Sequence, residues 1–297
     1  MTYERKYPDL AVFGGGAVWR TVEPLHMKSL LPLLIDPRRY GYFPQVGDAL
    51  VERSRGINAT FFLRHTKADV HLSLDSDICE FTKDAIDEMV EQAVTHNIVG
   101  AAYICKSVSR TFPASTFIDN TSIEFATDST PVPIQWAATG CLAVHRRVFE
   151  ALAETMPLLH ERDGPRAFYP FYQTMIYDEP EIGKLLLSED YAFCQRAKEL
   201  GFTPYINPAV RVCHIGQYAY RLEDMAQDIL KPQPVKITRS GPYWRVESQG
   251  LRETPESQGR IKPGERQEIE ERFQKVSRAE RRRTEKLTKK ALTTVSP

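Results

Sequence analysis

Asp75-Ser76-Asp77 places two carboxylates one residue apart, directly behind the apolar run Val70 to Leu74. Side chains so spaced can converge on one hard divalent cation, and a diphosphate can supply further oxygens to that cation. Two more acids, Glu189 and Asp190, follow Ser188 at the start of a helical pattern. Acids there complement the helix dipole, and a carboxylate that faces a reaction site can take the proton from a hydroxyl. Asp190 is the candidate base, with Glu189 as its substitute or as a group that orients a neighbour. His214 stands in the strand-like run Val210 to Ile215, where an imidazole can add a nitrogen ligand to two carboxylates. Taken singly, each feature has an ordinary structural role as a cap, a solvated turn or a satisfied strand residue. Their order along the chain carries the information.

These side chains need elements to hold them. Leu10 to Phe13 reads as a strand, Gly14-Gly15-Gly16 as a turn, and Glu23 to Leu34 as an amphipathic helix. Gly47 to Arg64 has helical spacing, with Leu50, Ile57, Phe61 and Phe62 available for one buried side. Val70 to Leu74 is a strand that ends at Asp75, Thr82 caps a helix through Thr95, and Asn97 to Cys105 is a second buried strand. Val132 to Trp136 and Cys141 to Val144 are extended, Arg146 to Met156 is helical, and the stretch up to Pro180 reads as a long loop. Ser188 caps a helix through Leu200 that Gly201 stops, and a short strand spans Thr203 to Ile206. The alternation predicts an α/β fold: a mostly parallel sheet with helices on both faces. Ligands of such sheets collect beyond the carboxyl ends of the strands, where Asp75 to Asp77 stand.

At 297 residues, 42% hydrophobic and 26% charged, the composition is that of a globular enzyme-sized chain. No run approaches the roughly 18 apolar residues that cross a bilayer, and the first residues are charged where a signal peptide is apolar, so a cytoplasmic protein is expected. Cys79, Cys105, Cys141, Cys194 and Cys213 form an odd set without a Cys-x-x-Cys pair, which points to buried free thiols. The zero net charge hides an asymmetry: Arg272 to Lys290 carries +7 and the rest of the chain −7. Three regions follow: a body over 1–229, a linker with a hairpin between Val235 and Glu247 over 230–264, and a basic helix and tail over 265–297.

The chain resembles the GT-A glycosyltransferases, especially a phage and bacterial group, over about Leu10 to Tyr220. The resemblance runs through Val51-Glu52-Arg53-Ser54-Arg55-Gly56-Ile57-Asn58, Leu74-Asp75-Ser76-Asp77-Ile78, Gly140-Cys141-Leu142-Ala143-Val144, Ser188-Glu189-Asp190-Tyr191 and His214-Ile215-Gly216-Gln217-Tyr218. It implies a GT-A-like body in which Asp75, Asp77 and His214 hold Mn²⁺ or Mg²⁺ against the diphosphate of a nucleotide sugar. It also implies donor contacts from Gly14, Gly15, Arg55, Asn58, Ser76 and Asp77, and a sugar and acceptor pocket at Trp136, Gly140 and Tyr218. Gly14 to Gly16 stand where relatives often show Pro or Thr, and Cys141 replaces a small or hydroxyl residue, so base selectivity is not implied.

An inverting enzyme needs a base on the acceptor side, which is the role Asp190 suits. Arg278, Arg281, Arg282, Arg283, Lys286, Lys289 and Lys290 can track phosphates, and with the phage-like resemblance they suggest a hydroxylated base of DNA as acceptor. A cell-surface or capsule glycan is the alternative acceptor. A degenerate GT-A fold acting as a binding module is the alternative outside the enzyme class, and a nucleotidyltransferase ranks third because the P-loop lysine is missing. Oligomeric state, sugar and nucleotide stay open.

Overall fold

The computed structural model describes residues 3–106, 114–119, 121–126, 128–162, 164–179, 183–216, 219–222, 235–240 and 243–248. In chain order the elements are β1 (Val12–Gly15), β2 (Ala17–Val18), α1 (Pro24–Leu34), β3 (Tyr40–Tyr42), β4 (Gln45–Val46), α2 (Val51–His65), β5 (Val70–Leu74), β6 (Ile78–Cys79), α3 (Lys83–His96) and β7 (Ile98–Ala102). They continue with β8 (Ser122–Phe125), β9 (Val132–Pro133), β10 (Cys141–His145), α4 (Arg146–Thr155), β11 (Leu159–His160), β12 (Ala167–Phe168), β13 (Met175–Glu179) and β14 (Gly183–Leu187). The last are α5 (Glu189–Glu199), β15 (Pro204–Arg211), β16 (Cys213–Ile215), β17 (Ala219–Tyr220), β18 (Val235–Ser240) and β19 (Tyr243–Ser248).

Seven strands form the central sheet in the order β3-β1-β5-β10-β7-β15-β9. Of these, β3, β1, β5, β7 and β15 share one direction, while β10 and β9 run against it. The protein is therefore an α/β fold built on a mostly parallel sheet. Successive strand side chains point to opposite faces, and both faces are apolar. Leu142 and Val144 of β10 join a core with Phe62 of α2, Phe149 of α4 and Phe193 of α5. Cys141 and Ala143 join the opposite core, with Leu30 of α1 and Ile86, Met89 and Val90 of α3. No helix among the described residues is long and apolar enough to cross a membrane.

Local chemistry fixes the helices that carry the site. Thr82 caps α3 by accepting a hydrogen bond from the Ala85 amide. Arg146 fans out over the end of α2, donating to the carbonyls of Phe62, Leu63, Thr66 and Ala68, while its guanidinium lies 4.4 Å from the Phe62 ring. A cation at a helix C-terminus complements the dipole and satisfies carbonyls that the helix leaves bare. On the opposite face of the sheet, segment 3–6 is strapped to α3. Tyr3 donates to Asp84 and Glu91, and Arg5 bridges Asp36 and Asp87. Behind this strap the buried Arg39 pairs with Asp87 and Glu91 at 2.9 and 2.7 Å.

Four expectations change. Gly14 and Gly15 belong to β1 instead of a turn, because the strand carries its ladder past Phe13 to Tyr42 and Ser73. Leu50 precedes α2 and is exposed, as is Phe61, so the buried side of this helix runs through Arg55, Asn58, Ala59 and Phe62. The stretch read as a loop up to Pro180 holds β11, β12 and β13, the last pairing with β14 just beyond it. The hairpin assigned to the linker pairs through β18 with β8, so the hairpin is part of the body. The basic helix and tail over 265–297 lie outside the described residues.

Candidate active site

Asp75 sits at the carboxyl end of β5, where its amide donates to the Gly140 carbonyl of the neighbouring antiparallel strand's approach. Gly16 crosses this end so closely that a Cβ on it would stand 1.8 Å from the Leu74 carbonyl oxygen. Glycine is thus required for the approach itself. Gly16→Ala is expected to cost about 1–3 kcal/mol through overpacking, lowering the melting temperature by several degrees; an unchanged melting curve would refute this contact.

Arg55, on the buried side of α2, donates to Asp75 Oδ2 at 2.8 Å and to Thr139, and lies 3.8 Å from Glu189 Oε1. Burial disfavours its charge, but Asp75, Glu189 and Asp190 more than restore it, so the guanidinium stays protonated. It is a clamp across three elements more than an open wall of a nucleotide pocket. On the second carboxylate, Lys106 pairs with Asp77 Oδ2. Each acid thus has one oxygen on a cation, while Asp75 Oδ1 and Asp77 Oδ1 are buried without a hydrogen-bond partner.

β16 pairs with β6 in antiparallel register, His214 opposite Ile78, which brings the imidazole to the acids. His214 Nδ1 lies 3.1 Å from the Ile104 carbonyl and Nε2 lies 3.7 Å from Asp77 Oδ1. Burial lowers the histidine's pKa against the opposing effect of Asp77. A neutral ring bonding through Nδ1–H leaves the Nε2 lone pair facing Asp77. Carboxylate oxygens without a hydrogen-bond partner and an imidazole nitrogen are the atom types that hold a divalent cation, as the resemblance implies, but Asp75, Asp77 and His214 do not bring three such atoms within 4.8 Å of one another. Burial also raises the Asp75 pKa, with Arg55 opposing it; a buried carboxylate with a bare oxygen gains most from a nearby positive charge.

Glu189 and Asp190 open α5. Asp190 Oδ1 accepts from Ser188 and from the Tyr191 amide, and its charge is felt at Arg55 and Asp75. The Ser188 side chain therefore bonds Asp190, not the helix amides that the capping pattern predicts. Burial raises the Glu189 pKa, which Arg55 opposes.

The structure brings Arg55, Asp75, Asp77, Glu189, Asp190 and His214 to one edge of the sheet. It uses other candidates differently. Both ends of the Asn58 amide are engaged internally, by the Phe43 carbonyl and by His71 Nε2, while a Cβ on Gly15 would strike its side chain. Gly14 lies against the Tyr42 ring in the same way. His71 is neutral, its pKa lowered to about 3 by burial and by Arg55. Asn58 is accordingly a strut between α2, β3 and β5. Trp136 belongs to the core: its indole donates to Gln195 and stacks on Tyr191. Gly140 is buried, donating its amide to the Tyr103 hydroxyl that a side chain at 140 would displace. Ser76 supports the turn, its carbonyl accepting from Glu23, and Tyr218 lies outside the described residues. Lys106 went unnoticed in the sequence, although it follows a buried strand directly, at the edge where ligands collect. Cys79, Cys141, Cys194 and Cys213 are buried as expected. Among the described residues, the group of three ligand atoms already within 4.8 Å of one another is Cys79, Glu80 and Cys213, and there Glu80 is paired with Arg221.

No family model matches the chain, and no curated protein matches it. Among solved structures it is similar to A197 from STIV, at 13% identity and a TM-score of 0.45, over 75% of this chain and 99% of that one. The functional reading therefore rests on the side chains.

Proposed function

We propose that the protein is a nucleotide-sugar-dependent glycosyltransferase of the GT-A type, a reading supported by one observation: behind β5, Asp75 and Asp77 each keep a buried carboxylate oxygen without a hydrogen-bond partner, and His214 Nε2 lies 3.7 Å from that of Asp77. Asp75, Asp77 and His214 would hold Mn²⁺ or Mg²⁺. When bound, the cation supplies charge stabilisation to a departing diphosphate. Arg55 orients Asp75, opposes the effect of burial on its charge and lies 3.8 Å from Glu189 of α5, so it links a metal ligand to the acids that open this helix. Lys106 adds a second cation at the same edge, suited to phosphate oxygens.

Asp190 is the proposed base for the acceptor hydroxyl. Its Oδ1 is held by Ser188 and the Tyr191 amide, which fixes the carboxylate's orientation and leaves Oδ2 to receive a proton. Asp190→Asn is expected to lower sugar transfer by about 10²-fold or more while leaving Mn²⁺-dependent binding of a nucleoside diphosphate intact. Transfer within a few-fold of wild type would assign the base to Glu189 or another group. The reading as a whole is checked by incubating the chain with a panel of sugar nucleotides and Mn²⁺ and measuring nucleoside diphosphate release. If no donor is cleaved and none raises the melting temperature, the binding-module reading takes its place.

A further inference from the structure

Three cavities join into one groove along the exposed side of α2, away from Asp75. The largest, about 780 Å³, shares Arg53 and Phe168 with a smaller one near Leu50, and shares His160, Pro165 and Arg166 with a third of about 630 Å³ that reaches Phe43 and Phe61. The third also touches Asn58, whose other side meets Gly15 of β1, so one residue separates the groove from the end of the sheet.

The lining combines two chemistries. Phe43 and Phe61 are exposed and stacked on each other, with centroids 5.2 Å apart and planes 21° from parallel. Around them stand cations with a particular construction. Arg53 binds Asp48 through Nε and Nη2 at 2.7 and 2.8 Å, with the Asp48 side chain 4% exposed and the Arg53 side chain 42%. Arg166 binds Glu161 in the same manner, 47% exposed against 15%. In both pairs the acid lies inside and fixes the guanidinium, whose outer edge faces solvent. Arg64 lines the groove beside Phe61.

We propose that this groove binds single-stranded nucleic acid, with bases stacked on Phe43 and Phe61 and phosphates met by Arg64 and Arg166. Ring faces interleaved with held guanidiniums suit a strand whose bases and phosphates alternate. The binding does not rest on the glycosyltransferase reading.

The test uses the full chain without metal or donor, and fluorescence anisotropy of a labelled oligothymidylate of about twelve nucleotides, with a sulfated oligosaccharide of similar charge as comparison. Every variant keeps the basic residues of the tail. Phe43→Ala is expected to weaken oligothymidylate binding about tenfold, with Phe43→Tyr restoring it, because stacking needs a ring. Arg64→Ala/Arg166→Ala is expected to weaken binding and to reduce the slope of log affinity against log salt by about 1.4. Binding that is absent, or unchanged in all variants, overturns the proposal, the latter because the tail would then carry it. A sulfated oligosaccharide bound as tightly, with Phe43→Ala indifferent, overturns it in favour of an anionic glycan. Absence of nucleoside diphosphate release from the wild-type chain would count against the enzyme while leaving the groove result standing.

Discussion

Replacing Asp75 and Asp77 together by asparagine is expected to reduce nucleoside diphosphate release by about 10³-fold, equivalent to about 4 kcal/mol of lost transition-state stabilisation. The substitution keeps side-chain size and removes both charges, so the two orphaned oxygens lose their affinity for a cation while the turn keeps its shape. Mn²⁺ should then no longer raise the melting temperature, with or without a nucleoside diphosphate, and the free-ion signal in electron paramagnetic resonance should match that of buffer. The double variant is also the informative one for stability. Arg55 retains Thr139 and Glu189, and Lys106 is partly exposed to water, so folding should survive. Asp75→Asn alone isolates the clamp, since it leaves a buried guanidinium with its main partner gone. Release within tenfold of wild type in the double variant would show that this pair holds no metal.

The second large effect concerns the fold. Arg39→Met is expected to destabilise the body by about 3–5 kcal/mol, because it removes the buried cation between Asp87 and Glu91 and leaves both acids short of a partner. Burial would raise the Asp87 carboxyl, but Lys83, Tyr40 and Arg39 hold it below its usual range. Glu91 is likewise lowered against burial by Arg39, the Lys6 amide and Tyr3, and Asp36 is lowered first by Arg5. Groups depressed in the folded state contribute stability that is complete above their unfolded pKa, near 4, and is lost as pH falls through the folded values. Wild-type protein should therefore hold its stability down to about pH 4 and unfold below it. In Arg39→Met the acid transition should move to higher pH. Denaturant midpoints measured between neutral and acid pH check both statements; a midpoint unchanged by the substitution would mean that the network contributes nothing.

The parts of the fold that could be read from sequence were those where local pattern and tertiary role agree. Val70 to Leu74 is buried throughout because β5 is covered on both faces, with Val70, Leu72 and Leu74 supplying the apolar signal, and Thr82 is both the residue type that caps and the residue that does cap. The acids at 75, 77, 189 and 190 were legible because strand ends and helix starts are where an α/β sheet gathers ligands. What stayed hidden depends on partners distant in sequence. Gly14 and Gly15 look like a turn until Asn58 and Tyr42 are seen packed where a Cβ would be. Trp136 resembles a pocket wall, but Gln195 on α5 completes its hydrogen bonding. Lys106 carries no motif, and only β7's place in the sheet brings it to Asp77. The β13–β14 ribbon was missed because its strands are half-exposed and amphipathic alternation is weak in Met175 to Leu187.

The strap formed by Tyr3 and Arg5 also sets an order of assembly. Arg5 is separated from Asp36 by 31 residues but from Asp87 by 82, and Tyr3 is separated from Glu91 by 88. At synthesis rates of about 5–20 residues per second, roughly 4–16 s pass between the making of Arg5 and that of Asp87. During that interval Asp36 is the one partner of the arginine that already exists. The strap therefore closes only after α3 has been made, and the pace of translation between codons 36 and 91 governs how long the early segment waits.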